Sequence, residues 1–379
     1  MLSEIGALFA VLLAIYLLDC LVWGPGIAYA FRARPSGDWR PTSEVFAMLQ
    51  GRRRVWLAGL VPGSGGIALT ETAPPPFAPM GICACDTVPG AIGKPIPWED
   101  LALIFVGEHS VRDRGRDLVP TVSATFAVAV AEWMSEVARS PLERRAERIE
   151  KGFERMLDTG AARAALDRYH AGVRPLVWPV RVLALVMFVA APVAIIRGGL
   201  VALIPLGLAV LAAVVGVVAF YVARMKAVGQ TNAVWRNATT MILAPPAALR
   251  ADDLAGREFL ARFHALCVAR VACAEGMARA LTAATLRETR HPLAFEPPPC
   301  CEASAWSRRT WQAVLERWAG REFGSLERLL APPRRETDRM QAYCPRCHQQ
   351  YERAEGECSD CAGLALKRFE PEPSAREAQ

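Results

Sequence analysis

Two Cys-x-x-Cys turns near the C-terminal end carry the clearest chemistry in the chain. They are Cys344-Pro345-Arg346-Cys347 and Cys358-Ser359-Asp360-Cys361, with ten residues between them. Each turn presents two thiolates, and four thiolates can close a tetrahedron around one zinc ion at about 2.3 Å. The expected metal ligands are therefore Cys344, Cys347, Cys358 and Cys361. Four protein ligands leave no open coordination position. Such an ion is structural, and it stabilises a module too small to hold a core alone. The first turn with His348 also spells Cys-x-x-Cys-His, the signature of c-type haem attachment. A haem at Cys344–His348 would need this end of the chain outside the cytoplasm, and it would leave Cys358 and Cys361 unexplained. Zinc uses all four thiols.

The surrounding pattern is Cys-Pro-x-Cys, Tyr351, Gly356, Cys-x-x-Cys, Gly363 and Leu366. Over residues 343–369 it resembles the short zinc-ribbon family, which implies two β-turns clamping a structural zinc. Ribbons often carry glycine after each second cysteine. Here His348 and Ala362 stand in those places, with Gly363 one position late. Ribbons commonly bind protein or nucleic acid, and the resemblance does not choose between them.

The remaining candidates are bland. Glu108-His109-Ser110 is a compact acid/base trio, but it stands before the charged turn Arg112–Asp117 and reads as solvated. Cys83 and Cys85 lack a local histidine. His264, Cys267 and Cys273 lie among Ala, Val and Leu and read as core. Cys300-Cys301 follows a proline break and reads as free thiols in a reducing compartment. Gly90-Ala91-Ile92-Gly93-Lys94-Pro95 lacks the spacing of a phosphate loop, and Pro95 replaces the hydroxyl residue. Gly63-Ser64-Gly65-Gly66 opens no dinucleotide site. No catalytic constellation emerges, so an enzyme is not expected.

The elements that must position the cysteines follow from composition. Of 379 residues, 53% are hydrophobic and 22% charged, and the net charge is +6. That is too apolar for an ordinary soluble domain and too charged for a bundle of spans alone. All but four of the 44 basic residues are arginine. With the abundant alanine this suggests GC-rich codons and a bacterial source. Three stretches approach the roughly 20 residues that cross a bilayer: Ile5–Trp23, Leu176–Ile196 and Leu200–Val222. The first has an acidic leading segment and reads as an uncleaved anchor. Its Asp19 stands next to Trp23, where a hydrated interface is expected. Arg197-Gly198-Gly199 is a hairpin turn between the other two. Basic residues flank the spans at Arg32–Arg54, Arg174, Arg224 and Lys226. The positive-inside rule then puts the N-terminus outside and the C-terminus in the cytoplasm of a bacterial inner membrane.

The expected fold class is an α+β membrane protein. It comprises an N-terminal transmembrane anchor (1–31), a small mixed α/β cytoplasmic domain (32–175), a transmembrane helical hairpin (176–223), a helical cytoplasmic region (224–342), the zinc ribbon (343–369) and a disordered tail (370–379). Within 32–175, Val55–Val61, Ile67–Thr72 and Leu101–Val106 read as strands. Helical spacing begins near Ser123, and Ser140-Pro141-Leu142-Glu143 reads as a capping box opening a helix to about Asp158. Strands followed by a terminal helix over 50–140 resemble bacterial pleckstrin-homology-like domains, which implies a binding or assembly module. Trp311, Val314, Leu315 and Trp318 line one face of a later helix, with Arg308, Arg309, Arg317 and Arg321 around it. The expected partners are the lipid bilayer and a cytoplasmic protein. Nucleic acid ranks third, because the charge is not concentrated, and no small-molecule substrate is implied.

Overall fold

The computed structural model describes residues 27–30, 68–71, 74–83, 95–101, 104–107, 110–114, 116–121, 123–198, 201, 203–229, 234–243, 245–272, 275–291, 301–361 and 363–370. The chain is mostly helical with small antiparallel sheets. Strands β1 (Ile27–Ala30) and β2 (Ala68–Glu71) pair with each other. Strands β3 (Phe77–Ala78), β4 (Gly81–Ile82) and β5 (Ile96–Pro97) form one three-stranded sheet. Strands β6 (Ile104–Val106), β7 (Ser110–Asp113) and β8 (Arg116–Pro120) form another. The expected strands at Ile67–Thr72 and Leu101–Val106 are thus present in shortened form, whereas Val55–Val61 lies outside the described residues.

Helix α1 (Ala124–Arg139) starts at Ser123, whose hydroxyl accepts from Phe126 N at 3.0 Å. Helix α2 (Leu142–Met156) begins differently from the expected capping box. Pro141 is its N-cap, and the Ser140 hydroxyl instead donates to Glu136 O at 2.7 Å. That hydroxyl serves the end of the preceding helix because only Ser140 and Pro141 separate the two helices, and Ser140 is the C-cap of the first. Asp158 caps α3 (Thr159–Gly172) by accepting from Ala161 N at 2.8 Å, and Gly160 lies in the first turn of this helix.

Helices α4 (Val177–Leu185) and α5 (Ala191–Gly198) are joined by a π-turn over Val186–Ala190, where Ala191 N–H bonds to Val186 O. Pro192 lacks an N–H and cannot continue the regular ladder, which slips by one residue just before it. Helix α6 (Leu203–Ala227) folds back against α4. Its segment Ile204–Ala227, 24 residues, is the one described helix long and apolar enough on its own to cross a membrane. The expected span Leu200–Val222 falls largely within it. The expected span Leu176–Ile196 is not an uninterrupted helix. Its first part, Val177–Ala190, passes for a span only when joined to the preceding Thr159–Gly172 across a 54° bend. Ile5–Trp23 and its Asp19 lie outside the described residues. Three spans are therefore not established, and the described residues hold one clear candidate.

The chain then continues through α7 (Val234–Leu243), α8 (Pro245–Ala248), α9 (Ala251–Leu260), α10 (Ala265–Ala272), α11 (Glu275–Arg290), α12 (Glu302–Phe323) and α13 (Leu326–Leu329). Regions on either side of the apolar hairpin share one core. Helix α12 packs on α2 and β3, while α9 and α10 pack on α3. Aromatic rings link the two halves. Phe77 meets Trp98 at 5.4 Å and Trp133 at 4.7 Å, Trp133 meets Phe153 at 5.5 Å, and Phe153 meets Trp311 at 5.6 Å. Trp311, Val314, Leu315 and Trp318 are all buried in this core. Arg317 pairs outside it with Glu150. At the base of the hairpin, Gly172 stands so close to Val228 that a Cβ would overlap the valine side chain. The two ends of the hairpin therefore meet.

Candidate metal centre

The four cysteines sit in a small C-terminal β-unit. Strand β9 (Ala342–Tyr343) pairs with β10 (Gln350–Tyr351) on one side and β13 (Lys367–Arg368) on the other. Strands β11 (Glu357–Cys358) and β12 (Leu364–Ala365) form the second hairpin. Each Cys-x-x-Cys turn is closed by backbone hydrogen bonds. His348 N donates to Cys344 O at 3.0 Å and Cys344 N to Gln349 O at 2.9 Å. In the second turn, Gly363 N donates to Cys358 O and Leu364 N to Cys361 O, both at 3.1 Å.

The chain must reverse sharply after each second cysteine, which calls for positive φ. In the second turn Gly363 supplies it, at 79°. In the first, His348 itself adopts 63°. This is the place where ribbons often carry glycine. In the first turn a histidine therefore takes up the left-handed conformation, at a cost a glycine would avoid.

The Sγ atoms of Cys344, Cys347, Cys358 and Cys361 all lie within 4.8 Å of one another. The Cys347–Cys358 separation is 3.7 Å. A tetrahedron with 2.3 Å metal–sulfur bonds has edges of about 3.8 Å. The four cysteines are thus close enough to hold a metal ion, and the donor set suits zinc. Cys344, Cys358 and Cys361 are buried, with Tyr351, Leu364 and Leu366 packed around them.

Proton affinities divide among the thiols. Burial pushes Cys347 up to about 11 and Cys361 above the usual thiol range. Burial also acts upward on Cys358, but donors outweigh it: the Tyr351 hydroxyl at 3.2 Å, the Asp360 backbone and the neighbouring thiols bring it down to about 7. Of these three thiols Cys358 gives up its proton most readily, and a divalent cation would supply the charge that lets Cys347 and Cys361 ionise beside it.

The unit is braced against the helices. Arg287 Nε, from α11, donates to Arg346 O at 3.1 Å. Arg346 Nη1 donates back to His291 O, just past the end of α11, also at 3.1 Å. Arg346 is buried, and its cation satisfies a carbonyl where a helix C-terminus is negative. The connecting segment adds a second brace: Gln350 donates to Arg334 O at 2.8 Å and accepts from Glu336 N at 3.0 Å.

The four thiols singled out by their spacing are the four that the structure brings together. Sequence reasoning noted Tyr351 as part of the ribbon pattern without its hydrogen bond to Cys358. It missed Arg287, whose link to Arg346 spans 59 positions and has no local signal. His348 stands apart from the four sulfur atoms, with its ring edge-on to Tyr343 at 5.9 Å, and burial pushes its pKa down to about 4. The convergence of Cys358 and Cys361 on Cys344 and Cys347 favours a four-sulfur centre over haem attachment at Cys344–His348.

The other candidates do not join a site among the described residues. Glu108, His109, Cys85, Cys273 and Cys300 lie outside them. Cys83 is fully buried. His264 Nδ1 accepts from Leu266 N at 3.3 Å, and its ring lies 5.0 Å from Trp311. Cys267 is buried in the same core, which raises its thiol pKa. Cys301 caps α12 by accepting from Ser304 N. A surface groove of about 680 Å³ runs between α2 and α12, but several of its charges pair with one another or with neighbours, as in Arg155–Glu136 and Lys151–Glu147. No family model, curated protein or solved structure matches the chain.

Proposed function

We propose that the chain is a membrane-anchored, non-catalytic docking protein of a bacterial inner membrane. The apolar hairpin and the N-terminal segment hold it in the bilayer, with the N-terminus outside. The shared helical core and the C-terminal ribbon face the cytoplasm and receive a protein partner. One zinc ion on Cys344, Cys347, Cys358 and Cys361 holds the ribbon in shape. The observation that carries this reading is the closed four-thiol cluster, which has structural chemistry and no open position for a substrate. The shared core supports the topology. Segments before and after the hairpin pack together, which agrees with both lying on one face of the membrane in this reading.

The test is purification in mild detergent followed by metal analysis and crosslinking in cells. One zinc per chain, together with a crosslinked partner that is lost on chelation and in Cys358→Ser, is the expected result. A chain that crosslinks to nothing, with or without zinc, would remove the docking role. A Soret band would replace zinc by haem. A topology reporter fused after Gln379 that reads the outer compartment would reverse the orientation.

A further inference from the structure

Helix α7 presents an apolar face that its own fold leaves uncovered. It follows α6 and folds back along it. Lys226 Nζ stands 4.6 Å over the Trp235 ring, and Asn237 Nδ2 donates to Tyr221 Oη at 2.9 Å. These pairings run in opposite chain directions, so the C-terminal end of α7 points back along the apolar helix. Val234, Asn237, Ala238 and Met241 are buried. The opposite stripe holds Trp235, Thr239, Ile242 and Leu243, spaced at four, seven and eight positions. Trp235 is 65% exposed, Ile242 50% and Leu243 78%. A helix facing water carries charge on such a stripe.

Three further observations say what covers this face. The hydroxyls of Thr239 and Thr240 donate to Trp235 O at 2.9 Å and Arg236 O at 3.1 Å, so neither donor depends on water. Helix α6 beside it also exposes Leu208, Leu211 and Val215. The charge is one-sided: between Asp167 and Asp252 there is no acidic residue, while Arg224 and Lys226 close α6 over aromatic rings. Aromatic residues with adjacent cations mark a bilayer boundary. Anionic lipid complements a segment with cations and no acids.

We propose that α7 is a shallow membrane element. Its Trp235–Leu243 face lies in the boundary between headgroups and acyl chains of the leaflet nearest the folded core, and Arg224 and Lys226 meet anionic lipid phosphates. This rests on α6 spanning the bilayer. It adds that a second helix, too short to span, is also immersed.

Photolabelling of the full chain separates the two statements. The protein is placed in phosphatidylcholine vesicles containing phosphatidylglycerol and a phospholipid with a diazirine on its acyl chain. Adducts are then mapped by peptide mass spectrometry. Adducts on both 204–215 and 235–243 are expected. The double variant Ile242→Asp, Leu243→Asp should lower the second set about tenfold while keeping the first, which reports a folded, inserted chain. Adducts on 204–215 alone would overturn the immersion of α7 and leave the span standing; coverage of the face by Ile5–Trp23 or by a second copy would give this result. Absence of both sets would overturn the span and this proposal with it. Labelling of 235–243 that is unchanged by the double variant would overturn the assignment of the face. Labelling that is equal without phosphatidylglycerol would overturn the role of anionic lipid.

Discussion

His348 holds φ at 63° in the turn that brings Cys344 and Cys347 together. A β-branched residue there costs about 1–3 kcal/mol, whereas glycine adopts the conformation freely. His348→Val should therefore weaken zinc retention in a chelator competition and lower the melting temperature. His348→Gly should stay within about 1 kcal/mol of the parent, since the gain in backbone freedom offsets the lost contact with Tyr343. Equal behaviour of the two variants would show that the turn is not strained. Tyr351 acts on the same site through its hydroxyl, 3.2 Å from Cys358 Sγ. Outer hydrogen bonds of this kind typically change metal affinity about 10–100-fold. Tyr351→Phe should show a loss in that range with one zinc still bound; unchanged affinity would sink the role. The grouping of the four thiols was legible because their spacing is local. The strain at His348 was not, because a residue type does not reveal its φ.

At the scale of elements, α1 and α2 meet through a glycine. A Cβ at Gly152 would fall 1.9 Å from the Trp133 ring, whose Nε1 donates to Arg148 O at 3.2 Å. The indole lies on bare backbone, so Gly152→Ala should destabilise the protein by about 1–3 kcal/mol, the usual cost of overpacking. An unchanged melting temperature would mean that the helices separate without cost. Helix α2 is also tied to the strand region by Arg145, which donates to Glu99 at 2.6 Å. That hydrogen bond, more than the charge alone, holds the Glu99 carboxyl below its ordinary 4.5. The folded chain therefore binds fewer protons at Glu99 than the unfolded chain does. The associated stability is present above pH 4.5 and is lost as the pH falls through the lowered value. Glu99→Gln should flatten this part of the acid limb in a urea titration series; an acid limb identical to that of the parent would exclude the pair as a contributor. Helix positions were largely legible from periodicity. The start of α2 was not, because Ser140 could serve either of two helices and the choice depends on their packing.

At the scale of the whole molecule, the cysteine-bearing β-unit and the core are separate clusters joined by a small brace. The thiols, Tyr351, Leu364 and Leu366 form one cluster, and the linked aromatic rings form another. Chelation should remove one zinc and raise hydrogen exchange over 342–369. It should also loosen the last turn of α11, which loses the Arg287–Arg346 and Arg346–His291 bonds. Exchange in α2 and α3 should stay at its starting level. Exchange rising throughout the core would show that zinc holds the whole fold, and no change at 342–369 would show that the ribbon stands without metal.

By itself the sequence determined the four-thiol set, the apolar stretch that became α6 and most helix positions. These depend on spacing and periodicity, which a chain carries locally. Only the tertiary structure decided that regions on either side of the hairpin share one core, because the Phe77–Trp133–Phe153–Trp311 contacts join residues far apart in sequence. It also decided that the stretch before Pro192 slips into a π-turn, and that the cysteine-bearing unit leans on α11 through Arg346. Those outcomes come from packing and from hydrogen bonds between distant groups, and no local pattern encodes them.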